Sequence, residues 1–252
     1  MNNTLEVNNV MPHGIVLSQG NEANVSDYRV TSDRFVVYLD IMGFKDRIAR
    51  NSHDKVLETL TIFTNLISNI KEQDKYRTIQ QSQFSDSIIL FSKSNTTDDL
   101  YVISEMTKEI VRIAVKNEIP IRGSLAQGKL TVDPKKSIFF GQPLVDAYEL
   151  EEKGVKYYGV VVHNSAESII KVCPDGNKLF KDIKTPLKYG WISHYELSWY
   201  FDDIEQTMSV LNKIRENVSG EPRVYVDNTL KVLEDNYFSK KRKKTEKKQR
   251  ET

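Results

Sequence analysis

The chain has 252 residues, 39% of them hydrophobic and 28% charged, which is enough for one sizeable core and too little for several large domains; the balance is that of a globular chain rather than a disordered one. A single cysteine, Cys173, and four scattered histidines exclude an internal disulfide framework, a Cys-rich zinc site and a His-built metal centre, so any metal must be held by carboxylates. The net charge of +1 hides an asymmetry: residues 239–252, SKKRKKTEKKQRET, carry +6 and the remainder −5.

Residues 1–32 hold six Asn and no sustained period, and read as a flexible arm that adds one short strand through Gly14 to Leu17. The first strong element is Phe35 to Ile41, FVVYLDI, a nearly continuous apolar run of the kind that forms a strand buried on both faces. Asp40 interrupts it. From Asp54 to Glu72 the apolar residues Val56, Leu57, Leu60, Phe63, Ile67 and Ile70 recur at helical spacing, with Ser52 or Asp54 placed to cap the start. Two strand-like runs follow, Arg77 to Phe84 and Ser87 to Ser92, separated only by Ser85 and Asp86, the pattern of a tight hairpin. Residues 98–117 repeat the helical period, and Pro120 admits another strand, Ile121 to Lys129. Further on, Ile138 to Phe140 predicts a short strand, Gly141 opens a helix through Lys153, and Tyr157 to Val162 is again strand-like. After Asn164 the pattern weakens to a helical patch over Ala166 to Val172 and two helices over Asp203 to Asn217 and Pro222 to Phe238.

Strand, helix, strand, strand, helix, strand predicts an α+β, ferredoxin-like sandwich with helices on one face of an antiparallel sheet. The expected organisation is an arm over 1–32, a main domain over 33–163, an α-rich elaboration of it over 164–238, and a basic tail over 239–252. No window approaches the roughly 18 apolar residues that span a bilayer, and the N-terminus lacks a basic region followed by an apolar one; a cytoplasmic protein is expected. The tail reads as a solvated end, and no basic stripe interleaved with aromatics points to nucleic acid as a partner.

Asp40 and Asp86 stand where carboxylates need a reason, because an unpartnered buried charge costs more than a domain can spare. Asp40 ends the most apolar strand; Asp86 turns the hairpin that would flank it. No Lys or Arg on those strands neutralises them, which makes a divalent cation with hard oxygen ligands, Mg²⁺ or Mn²⁺, the economical partner. Gly43 lets the backbone turn and expose amides toward an anion. The plainer reading, in which Asp40 caps a turn and Asp86 fills a common hairpin position, stands beside this one.

FVVYLDIMGFKDRI, QFSDSIILF, IPIRGSLAQGKL and FFGQPLVDAYELEE, in that order, resemble the class III nucleotidyl cyclase catalytic domain, and among its branches the bacterial pyrimidine cyclases of the Pycsar antiphage defence system. The resemblance covers about residues 34–162. It implies that Asp40, Asp86 and the Ile41 carbonyl hold two metal ions, that the turn Met42, Gly43 and Phe44 offers amides to a nucleoside triphosphate, and that two chains pair head to tail with sites at the interface of a homodimer. It further implies UTP as substrate, cyclic UMP as a defence messenger, and a separate effector that the messenger activates.

The departures from the family pattern carry information of their own. Ser82 and Ile138 stand where adenylate cyclases carry the adenine-reading Lys and Asp, and the guanine-reading Glu and Cys are absent too. Val145 and Glu149 stand where Asn and Arg orient the ribose and steady the transition state. Some other cation must do that work, with Arg122, Lys129, Lys45 and Arg47 as candidates, and Phe44 is a candidate for shaping the base pocket. CTP as substrate, a nucleotide-binding pseudo-cyclase, a two-metal hydrolase and a plain interaction protein remain the rival readings.

Overall fold

The computed structural model describes residues 16–17, 30–44, 48–49, 51–133, 136 and 138–238. Most of the expected arm, the basic tail, Lys45 and Arg47 lie outside them.

Among the described residues nine strands form one sheet: β1 (Val16–Leu17), β2 (Thr31–Ile41), β3 (Gln80–Phe84), β4 (Ser87–Phe91), β5 (Ile121–Asp133), β6 (Ile138–Gly141), β7 (Val160–Val162), β8 (Phe180–Leu187) and β9 (Gly190–Leu197). Their order is β1-β3-β4-β2-β5-β7-β9-β8, with β6 paired to β5. All pairings are antiparallel except β5 with β7. Seven α-helices accompany them among the described residues: α1 (His53–Lys71), α2 (Thr97–Lys116), α3 (Gln142–Gly154), α4 (Glu167–Val172), α5 (Gly176–Leu179), α6 (Ile204–Glu216) and α7 (Glu221–Leu233).

β2 is the centre of this sheet, paired with β4 on one side and β5 on the other. Successive side chains of a strand point to opposite faces, and β2 divides its residues accordingly. Phe35, Val37, Leu39 and Ile41 join a large core with Phe63, Ile67, Ile103 and Ile110 of α1 and α2. Val36 joins Phe91, Ala126, Leu130 and Ala147 in a smaller core beneath α3, with Tyr38 packed against it. Helices therefore cover both faces, whereas the strand and helix order alone predicted one. The difference lies in α3: its Ala147 carbonyl accepts the Ser124 hydroxyl of β5, and its Tyr148 ring meets Tyr38 edge-on with centroids 5.4 Å apart.

The hairpin forms as its spacing dictates. Phe84 pairs with Ser87, which leaves Ser85 and Asp86 as a two-residue turn, and Ser85 takes φ +56°, as one member of such a turn must. Caps also follow from the local sequence. Thr96 accepts the Asp99 amide at the start of α2, and Asp203 accepts the Glu205 amide at the start of α6. Ser52 occupies the cap position of α1 without a side-chain hydrogen bond.

The stretch after Asn164 differs from its α-rich expectation by the β8–β9 hairpin. β8 carries Lys181, Asp182, Lys184 and Pro186, a composition that blurs alternation; the sheet tolerates the proline because β8 is an edge strand. No helix among the described residues is long and apolar enough to cross a membrane.

Candidate active site

Alternation along β2 puts Asp40 on the same face as Val36 and Tyr38, the face covered by α3. Its cross-strand neighbours are Ser87 of β4 and Arg122 of β5. Asp86, one residue before Ser87, is tied to the same strand end, because its carbonyl accepts the Ile41 amide at 3.2 Å. Sheet register thus sets Asp86 at the same strand end as Asp40, near enough for its charge to act on the Asp40 carboxyl.

Asp40 is crowded. Its side chain is one-fifth exposed, and burial, followed by the nearby charge of Asp86, pushes its pKa up to about 6. Two contacts oppose the shift. The Arg122 guanidinium lies 3.9 Å from Oδ2, and Ser87 Oγ donates to Oδ1 at 3.3 Å. Tyr38 Oη in turn donates to Ser87 Oγ at 2.7 Å, so a short hydroxyl relay runs along the sheet into the carboxylate.

The sequence pattern left Asp40 without a cation because it considered only β2 and the hairpin. The structure corrects that: the other neighbour of β2 places Arg122 directly opposite. Arg122 is nevertheless shared. Its Nε pairs with Glu151 of α3, and its Nη1 donates to the Val155 carbonyl and to the Tyr225 hydroxyl, both at 3.3 Å. Glu151 is almost fully buried, and burial pushes its pKa up to about 8 against the pull of Arg122. The guanidinium is therefore divided between Glu151 and Asp40, and it offsets the charge of the aspartate pair only in part.

The turn after β2 is set by its backbone conformation. Gly43 has φ +72°, and a Cβ there would meet nothing within 4 Å, so the glycine serves the backbone conformation. Of the three amides expected to face an anion, that of Met42 is consumed by the fold, donating to the Pro120 carbonyl at 2.9 Å. Phe44 is buried. Ser82 is buried in β3, Ile138 is exposed on β6, and Lys129 is exposed on β5. Val145 is half-exposed, and Glu149 is bound to Lys153 at 2.6 Å.

Glu151, Ser87 and Tyr225 are the site neighbours that sequence reasoning missed. Glu151 had a signal, since it falls four residues after the inward-facing Ala147 of the same helix. Tyr225 had none: it reaches Arg122 from α7, 103 residues away.

Two carboxylates at one strand end, each raising the cost of ionising the other, would have that repulsion relieved by a hard divalent cation. No group of three or more His, Cys, Asp or Glu side chains fit to hold a metal occurs among the described residues. The pair would therefore need main-chain and substrate oxygens to complete a coordination shell, the manner in which Mg²⁺ is commonly bound at phosphate-transferring sites.

The chain matches no protein-family model and no curated protein. Among solved structures it is similar to the catalytic core of a rhodopsin-guanylyl cyclase with converted specificity in complex with ATPαS, at 17% identity and a TM-score of 0.51, covering 66% of this chain and 96% of that one. It is similar to the non-canonical dimeric guanylyl cyclase domain of a fusion protein from the aquatic fungus Blastocladiella emersonii, at 17% identity and a TM-score of 0.50, over 66% and 96% of the two chains. A bacterial light-regulated adenylyl cyclase aligns at 13% identity and a TM-score of 0.51, over 75% of this chain and 58% of that one. The fold is that of class III nucleotidyl cyclase domains.

Proposed function

We propose that the protein is a pyrimidine nucleotide cyclase that converts UTP to 3′,5′-cyclic UMP and pyrophosphate. The observation that carries this reading is the meeting of Asp40 and Asp86 at one end of β2, beside a glycine turn, in a cyclase fold. Asp40, Asp86 and the Ile41 carbonyl would hold two Mg²⁺ or Mn²⁺ ions. Such ions, when bound, lower the pKa of the attacking hydroxyl and polarise the α-phosphate.

The chain's own residues supply position. The 3′ hydroxyl of the ribose releases its proton to solvent as its oxygen forms a bond to the α-phosphorus, the bond from that phosphorus to the bridging oxygen breaks, and pyrophosphate leaves. Catalysis of this kind rests on orientation and charge placement. Ser87 and Tyr38 fix the Asp40 carboxylate from one side, and Arg122 from the other. Arg122, a candidate for the transition-state cation, is tethered to Glu151, Val155 and Tyr225; in this reading it is a positioning residue for Asp40. Gly43 and Phe44 remain the proposed phosphate-facing amides.

A head-to-tail homodimer with sites at its interface completes the proposal. Support comes from the exposed apolar side chains Val145 and Tyr148 on α3 and Phe140 just before it, close to the face that carries Asp40. A defence role, in which cyclic UMP activates a separate effector, rests on the resemblance of the four sequence motifs. Neither purine-reading pair is present, which favours a pyrimidine; CTP is the alternative substrate. The pseudo-cyclase reading is favoured by one specific feature, the acidic Glu149 bound to Lys153 where the family carries its cation.

Incubating the purified protein with each of the four nucleoside triphosphates and Mn²⁺, and resolving products by mass spectrometry, tests all of this. Cyclic UMP with pyrophosphate is expected from UTP. Cyclic CMP alone would move the substrate to CTP. Nucleotide binding without turnover would leave a pseudo-cyclase, and free monophosphate would indicate a hydrolase.

A further inference from the structure

Beyond the carboxylate pair, a cavity lies on the C-terminal part of the chain and shares only Tyr225 with the surroundings of Arg122. A cavity of about 390 Å³ opens between α7, the β8–β9 turn and the segment that follows α3, and it is lined by Lys156, Lys188, Trp191, Glu221, Tyr225 and Asn228, among others. That volume is at the lower end of small-molecule sites, which combine aromatic walls with a few placed polar groups.

Packing does not account for its contents. Of the two tryptophans, Trp199 is fully buried, whereas Trp191 stays more than one-third exposed at the cavity. Tyr189 and Val224 beside it are exposed as well. Two lysines and one acid line the cavity, and a third lysine, Lys231, sits over the Trp191 ring. Lys156 Nζ lies 4.8 Å from the Tyr225 ring centroid, Lys231 Nζ lies 4.8 Å from the Trp191 ring, and Lys188 lines the wall. Glu221 is the single carboxylate, 3.0 Å from Lys156, and its side chain is nearly three-quarters exposed, so it is free to swing away. Lys156 itself is fixed, because Nζ donates to the Tyr225 hydroxyl at 2.9 Å and its carbonyl accepts from Asn228 at 2.8 Å.

We propose that this cavity binds a planar aromatic anion of nucleoside monophosphate size, its ring against the exposed Trp191 and its charge on Lys156 and Lys188, with the buried Tyr225 holding Lys156 in place. Trp191 offers stacking area and the lysines attract the anion, each contribution being stronger in a partly enclosed cleft than on open surface. The proposal does not depend on the carboxylate pair holding metal.

Trp191 is its own reporter. The intact protein, in EDTA, is titrated with UMP, AMP, benzoate and inorganic phosphate while tryptophan emission is followed. Saturable quenching by a nucleoside monophosphate or by benzoate is expected; the first would mark a nucleotide, the second any aromatic anion. Trp191→Phe should abolish the response, with the Trp199 emission and circular dichroism confirming an intact fold. Lys188→Ala, at an exposed position, should weaken binding about tenfold, the size of one lost charge-assisted contact. Asp40→Asn should leave the titration unchanged. Absence of saturable quenching, a response to phosphate alone, quenching indifferent to Lys188→Ala, or loss of quenching in Asp40→Asn would each overturn the proposal.

Discussion

Replacing Glu196 by Gln should flatten the dependence of folding stability on pH. Glu196 is fully buried in β9 and accepts the Tyr200 hydroxyl at 2.6 Å. Burial pushes its pKa up to about 8, from an ordinary value of 4.5, against the opposing pull of the hydrogen bond. The folded protein therefore keeps a proton that the unfolded chain has released between those two values. Its contribution to stability is complete below pH 4.5 and is lost as pH rises toward 8. Each pH unit in that window is worth at most about 1.4 kcal/mol, so the interval from pH 5 to pH 8 holds up to about 4 kcal/mol. Against a typical total of about 5–15 kcal/mol, that is readily measured. Glu151 shifts the same way, and its share persists in the variant, so the difference between the two proteins isolates Glu196. Gln keeps a side-chain oxygen for Tyr200 but carries no titrating proton. Urea unfolding followed by circular dichroism at pH 5, 6.5 and 8 gives the two slopes, and equal slopes would refute the reasoning.

Asp40→Ala or Asp86→Ala should reduce cyclic nucleotide formation by about two or more orders of magnitude, as expected when a group that positions reacting charge is removed, with the circular dichroism spectrum preserved; added EDTA should do the same to the unaltered protein, and product formation is assayed by mass spectrometry. Arg122→Met should destabilise the fold by about 1–3 kcal/mol because it leaves the buried, largely protonated Glu151 carboxyl without its partner, and Arg122→Met with Glu151→Leu should recover most of that loss in urea unfolding. Gly123→Ala should lower the melting temperature, since a Cβ there would lie 2.5 Å from the Tyr38 carbonyl and 2.4 Å from Leu39 Cδ2; overpacking of this kind costs about 1–3 kcal/mol, and an unchanged melting temperature would show that β2 and β5 can part locally.

Much of the frame was legible before any coordinates. The apolar run Phe35 to Ile41, the periods of α1 and α2, and the two-residue hairpin turn are local signals, each set by the spacing of apolar side chains or by a turn that admits few residues, and they placed Asp40 and Asp86 at the same sheet end. β8 and β9 were not legible, because an edge hairpin broken by charges and Pro186 lacks the alternation that a half-buried strand shows.

The sequence by itself determined that two carboxylates would interrupt apolar structure and that a glycine turn would follow one of them. Only the tertiary structure decided what surrounds them. Arg122 stands opposite Asp40 because β2 and β5 pair in one particular register; Glu151 holds it because α3 crosses the second face of the sheet; Tyr225 and the cavity beside it come from a helix more than a hundred residues further along the chain. Such contacts depend on long-range packing, and no period or spacing in the chain encodes which distant side chain will fill a neighbour's hydrogen bonds.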